Sequence, residues 1–249
     1  MSLVKWGGNA RYITVDPSLV VKIPEEVDPA AAVCLAETYL TAFQIVHHGQ
    51  VEPERFLPGS LLGQNIVVLG NAMTNIGQAL AEVAACAGAN QLFALASQID
   101  FRRISELGMR PLDKDSIDWW DSLSGKVDRI VCLGEDVATI HYKLLRPTGQ
   151  VILVRNARNE LVRIQDSPPE PSGGKTGGWV RRRKQPKQIS RTVVYDVYAE
   201  WDENVELCKL DLFHLVGLLE KGRLEPFVIE RIRLPRVEKM QQLIDSTQH

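Results

Sequence analysis

The residues best placed for chemistry follow Asn65-Ile66-Val67-Val68-Leu69, a continuous apolar run bounded by turn residues. Such a run reads as a strand buried on both faces. Gly70-Asn71-Ala72-Met73-Thr74-Asn75 then reads as a turn, and residues 76–87 as a helix ended by Gly88. A helix opening directly after a buried strand presents free N–H groups and a positive dipole end at Ile76, which suits an anion such as a phosphate. Tyr39 and His141 could pass protons by residue type, while Glu37 is expected to face solvent. Cys34, Cys86, Cys132 and Cys208 lie far apart and match no zinc spacing. His47 and His48 are adjacent, so on a helix they point about 100° apart and cannot grip one ion. No metal site is expected.

A second chemical feature is charge. Between Lys175 and Lys187 the chain carries six cations and no acid, with Trp179 beside the run Arg181-Arg182-Arg183-Lys184. The surrounding residues 166–190 are rich in Pro and Gly and cannot bury enough apolar surface to order themselves, so they read as a basic flexible loop. Such a loop could dock on an acidic protein, RNA or an anionic surface, or simply be solvated. The net charge of −2 for the whole chain argues neither for nor against nucleic acid.

The elements that must position these residues alternate. With 249 residues and 45% hydrophobic composition the chain can build a core. Residues 11–23 read as two short strands around Asp16-Pro17-Ser18. Asp28 caps, and Pro29 opens, a helix that stops at Gly49. Beyond the 65–87 unit come strands at 91–95, 127–133 and 150–154, with helices at 100–107, 117–123 and 137–145. Strand and helix in alternation imply an α/β, Rossmann-like, doubly wound parallel sheet. After the basic loop, a strand at 191–198, a helix at 205–221, a strand at 227–234 and a helix from 238 are expected. No apolar run reaches the ~18 residues that span a membrane, and residues 1–6 carry neither a signal-peptide nor a transit-peptide pattern. An intracellular soluble protein is the default reading.

Several blocks, in this order, resemble the zinc-independent quinone and enoyl reductases of the medium-chain dehydrogenase/reductase family. They are Trp6-Gly7-Gly8-Asn9-Ala10-Arg11-Tyr12, Ile23-Pro24-Glu25-Glu26-Val27-Asp28-Pro29-Ala30-Ala31-Ala32 and Tyr39-Leu40-Thr41-Ala42-Phe43-Gln44. Leu144-Leu145-Arg146-Pro147-Thr148-Gly149-Gln150-Val151 and Gly222-Arg223-Leu224-Glu225-Pro226 complete the set. The resemblance implies residues 1–30 as a remnant of a GroES-like β domain and 31–165 as the nucleotide-fold domain. Residues 191–249 would complete both. It also implies a longer N-terminal part in relatives, so the chain reads as a fragment or as carrying a reduced substrate domain. A dimer through edge strands near 151–154 is a further implication.

The resemblance places cofactor contacts at Thr41, Asn71, Thr74, Asn75, Ile76, Gly77, Ser97 and Lys114. Here 71–77 would cradle the diphosphate of NADPH, and Ser97 with Lys114 would grip its 2′-phosphate. The chain departs from the family at most of these positions. Glycines of the phosphate turn are replaced by Asn71, Thr74 and Asn75, leaving Gly77. Asn tolerates a left-handed backbone, whereas β-branched Thr74 is not expected to keep the turn's shape. Side chains in the diphosphate path would cost about 1–3 kcal/mol each. Ile99 replaces the family's Lys, and Asp100 is expected as a helix N-cap. Glu135, Asp136 and Arg155 stand where bare backbone meets the nicotinamide. Two functions follow. One is a degenerate, non-catalytic structural or accessory component, binding no NADPH or binding it weakly, within a homo-oligomer or larger assembly. The other is an NADPH-dependent reductase of quinones or enoyl thioesters.

Overall fold

The computed structural model describes residues 12, 14–116, 118–133, 142–155, 192–228 and 231. These fall into two units, one holding residues 63–72 and 90–195, the other the remainder.

The first unit is the sheet. Strands β1 (Asn65–Gly70), β2 (Gln91–Ala96), β3 (Arg110–Asp113), β4 (Val127–Leu133), β5 (Leu145–Val154) and β6 (Thr192–Tyr195) pair entirely in parallel, in the order β3-β2-β1-β4-β5-β6. This is the doubly wound dinucleotide-fold order, as the alternation of elements predicts. Val67, Leu69, Ile130, Cys132, Val151 and Leu153 on the three central strands form one buried cluster with Phe93 and Leu112. Their unbroken apolar runs are what a sheet covered on both faces requires.

Strand β3 is absent from the sequence reading. Arg110-Pro111-Leu112-Asp113 has one buried residue and a proline, a composition that a sheet tolerates at its edge. Conversely β5 lies between β4 and β6, so residues 151–154 are interior and offer no edge for the dimer pairing that the resemblance implies. The expected helix at 137–145 falls mostly outside the described residues. Its end is instead a 3-10 turn, Tyr142–Leu144, and Leu145 already opens β5. The expected strand at 191–198 ends at Tyr195, because Asp196 accepts hydrogen bonds from the N–H groups of Tyr198 (3.0 Å) and Ala199 (3.3 Å) and starts a helix.

The second unit is helical. Asp28 accepts from Ala30 and Ala31 and caps α1 (Pro29–Cys34), as expected. A π-turn, Leu35–Tyr39, runs into α2 (Leu40–Val46). Helix α3 (Asn75–Cys86), α6 (Val197–Glu203) and α7 (Val205–Glu220) complete it, while α4 (Phe101–Glu106) and α5 (Asp118–Leu123) belong to the sheet unit. Pro29–Val46 is 18 residues long and apolar enough to cross a membrane by length and composition, a test that the core helix of a folded protein also passes. More than half of that window is buried in the protein. No strand forms among the described residues of 11–23. Pro17–Leu19 is a 3-10 turn capped by Asp16, followed by extended backbone outside any ladder. Leu19, Val21 and Ile23 there line an apolar groove with Ala36, Trp201 and Val216. Residues 227, 228 and 231 carry no strand, and the helix expected from 238 lies outside the described residues.

Candidate functional site

The turn after β1 begins at Gly70, whose φ is +92°. A Cβ there would overlap the backbone carbonyl of Leu133, its pairing partner on β4. Only glycine supplies both that dihedral and that closeness. Thr74, by contrast, does not need to be glycine. Its backbone is extended (φ −80°, ψ 168°), and its Oγ1 accepts from the Gly77 N–H at 3.3 Å, making it the N-cap of α3. The expectation that a β-branched residue would spoil the turn is therefore corrected, because this position never enters the left-handed region. Asn75 and Ile76 form the first turn of α3 with right-handed helical backbone. Asn71, Thr74 and Asn75 are exposed, Ile76 half-buried and Gly77 buried.

Ser97 and Lys114 are brought together by the sheet. Ala96 and Asp113 are register partners at the ends of β2 and β3. Ser97 and Lys114 follow them directly, and the Lys114 N–H donates to the Ala96 carbonyl at 3.0 Å. Ile99 is almost fully exposed. Asp100 closes the 3-10 turn Gln98–Asp100 and stands at the N-cap position of α4, as expected, although its side chain makes no cap bond. The residue that sequence reasoning missed is Asp113. Its carboxylate accepts from Gln98 Nε2 at 2.6 Å and from the Asp115 N–H at 2.9 Å. Those bonds, Gln98 foremost, hold it below the usual carboxylate range.

Thr41 lies buried on α2. Tyr39 is buried too, and its hydroxyl donates to Glu82 Oε2 at 2.8 Å. Burial and then the Glu82 carboxylate push its deprotonation far above the ordinary range, so it is committed as a structural donor rather than poised to give up a proton. Glu37 is exposed, as expected, and accepts from Tyr198 at 3.1 Å. The Arg155 N–H donates to the Tyr195 carbonyl at 2.8 Å. His141, Glu135, Asp136, Trp179 and the run Arg181, Arg182, Arg183 and Lys184 lie outside the described residues. Cys132 and Cys208 are buried, and burial pushes the Cys132 thiol up to about 12. Among the described residues, no group of three or more His, Cys, Asp or Glu side chains is placed to hold a metal ion.

A buried ion pair in the helical unit also escaped sequence reasoning. Asp211 Oδ2 accepts from Arg55 at 2.9 Å and from Gln44 Nε2 at 2.9 Å. Asp211 is fully buried and Arg55 nearly so. The Arg55 guanidinium lies 5.3 Å from the Phe43 ring centroid and 5.9 Å from that of Phe56. Desolvation raises the Asp211 carboxyl to about 6 in spite of Arg55. An acid in mid-helix and an arginine in the 3-10 turn Glu54–Phe56 carry no local pattern that would announce their pairing.

No protein-family model matches the chain, and no curated protein matches it. Solved structures do. A protein of Bacillus thuringiensis assigned as an NADPH:quinone reductase superposes with a TM-score of 0.62 at 17% identity, over 93% of this chain and 65% of that one. Alcohol dehydrogenase TADH from Thermus sp. ATN1 gives 0.57 at 19% identity, over 92% and 60%. The chain has the fold of the medium-chain dehydrogenases and reductases. CurK enoyl reductase has this fold too, with a TM-score of 0.54 at 20% identity, over 87% of this chain and 59% of that one. The chain thus spans about 60% of the length of these medium-chain enzymes. In such a sheet the crevice at the carboxyl ends of the strands is where nucleotides bind, and Gly70, Ser97 and Lys114 all stand at strand carboxyl ends.

Proposed function

We propose that the chain is a dinucleotide-binding module of the quinone- and enoyl-reductase type, with weakened affinity for its cofactor. The observation that carries this reading is the turn at 70–77. Gly70 keeps the backbone bare where the strand ends, and Thr74 lets α3 start without distortion. Helix α3, twelve residues long, directs the Asn75 and Ile76 amides outward at its positive end, which suits a diphosphate. Ser97 and Lys114 would meet the ribose end. A bound nicotinamide dinucleotide would supply the hydride, to a quinone or an enoyl thioester. The chain's own contribution is to hold and orient it. The weakening follows from the exposed Asn71, Thr74 and Asn75 side chains, and from Thr74 Oγ1, which already takes the Gly77 N–H.

Titration with NADPH and NADH, followed by nicotinamide fluorescence, tests the reading. Dissociation constants between about 10 and several hundred micromolar are expected, tightening roughly tenfold in Asn75→Gly as the side chain leaves the diphosphate path. Absence of binding up to millimolar concentration refutes it. That result would favour a second reading, a non-catalytic structural or accessory subunit. Its support is the commitment of the Tyr39 hydroxyl to Glu82 rather than to any exposed partner.

A further inference from the structure

The ends of β2 and β3 bear on which form of the dinucleotide is taken, an inference that rests on the binding reading above. Asp113 is fixed there from several directions. Gln98 Nε2 and the Asp115 N–H hold the two carboxylate oxygens. The indole N–H of Trp119 donates to the Asp113 backbone carbonyl at 2.9 Å and pins the residue itself. After Gln98, the Asp115 amide and the Lys114 charge also favour the ionised form. The group is a standing anion one residue from Lys114, and the stretch Asp113-Lys114-Asp115 carries a net charge of −1. Lys114, the cation that would grip a 2′-phosphate, thus has its field largely cancelled by two flanking carboxylates.

We propose that Asp113 makes this end of the sheet select a dinucleotide with a free ribose 2′-hydroxyl over one carrying a 2′-phosphate. Dinucleotide folds recognise that hydroxyl with an acid about 20 residues past the phosphate turn. In this chain that position is Ser97, and the carboxylate arrives from the neighbouring strand instead, tied by Gln98 to the turn that Ser97 opens. A carboxylate oxygen retains lone pairs for a hydroxyl donor. A phosphate with nearly two negative charges meets the same oxygen as like charge, and the Gln98 and Asp115 bonds prevent it from swinging away.

Equilibrium titrations of the wild type and of Asp113→Asn with NADH and with NADPH test this. The wild type is expected to bind NADH about three- to tenfold more tightly at low salt. Asp113→Asn should bring the two within about twofold, chiefly by strengthening NADPH. Raising the ionic strength should shrink the wild-type preference and leave the variant's ratio unchanged. A merely structural role would weaken both dinucleotides alike and leave the ratio and its salt dependence unmoved. Tighter NADPH than NADH binding by the wild type, or a ratio that Asp113→Asn leaves in place, overturns the proposal. Should the variant fail to fold, the salt dependence of the wild-type ratio decides by itself. Binding of neither dinucleotide refutes the dinucleotide reading, and this inference with it.

Discussion

Asp113, at the end of β3, and Asp211, in the middle of α7, carry the same carboxyl group into opposite surroundings. Asp113 keeps access to water and collects an amide, a backbone N–H and an adjacent lysine. Its ionised form is favoured. Asp211 loses all its water, accepts from both donors at Oδ2 and has no hydrogen-bond partner for Oδ1 among the described residues. Desolvation there outweighs the attraction of Arg55. The contrast separates two uses of a polar side chain. A buried pair fastens segments of backbone at a net electrostatic cost, so its loss is felt as stability. A half-buried, braced carboxylate that keeps water contributes little to stability and can act on whatever approaches it.

The largest expected effect falls on the buried side. Asp211→Ala leaves the Arg55 guanidinium buried without a counter-charge and should cost about 3–5 kcal/mol in urea unfolding, whereas Asp113→Ala should leave the unfolding midpoint nearly unmoved. Similar losses at both positions would erase the distinction. Next in size is the pH profile. The folded pKa of Asp211 is raised to about 6. Its stabilising contribution is therefore complete below the unfolded carboxylate value near 4 and is lost as pH rises through about 6, on the order of 3 kcal/mol. Unfolding midpoints should show that decline in the wild type and not in Asp211→Asn. Asp113, whose pKa is lowered, bends the profile the other way. Its contribution is present above about 3.9 and disappears as pH falls through its lower folded value. The smallest effect is Thr74→Val, which removes the N-cap acceptor while keeping the shape. It should cost about 1 kcal/mol, with faster amide exchange confined to the first turn of α3.

What could be read from the sequence follows from how locally each feature is encoded. Strands β1 and β4 were legible because burial on both faces demands unbroken apolar runs, and α3 and α7 because Gly88 and Gly222 end them. Strand β3 was not, since four residues with one buried side chain and Pro111 carry no periodicity. The start of α6 was written in Asp196, but Val197 and Tyr198 resemble strand residues and outweighed the cap. At the site, the adjacency of Ser97 and Lys114 came only through a family likeness. The bracing of Asp113 by Gln98 depends on a parallel register that spacing along the chain does not reveal. Thr74 was misjudged because residue type was taken to set the backbone dihedral, when the turn's geometry requires a positive φ at Gly70.

Gly70 has a practical consequence. A Cβ at that point would fall on the carbonyl of the paired fourth strand, so the residue acts as a built-in spacer gauge. Any replacement there will register as lost protein in expression and melting assays before a ligand is ever added. Mutational surveys that aim to change affinity without disturbing architecture should therefore vary positions 71, 74 and 75 and leave position 70 untouched.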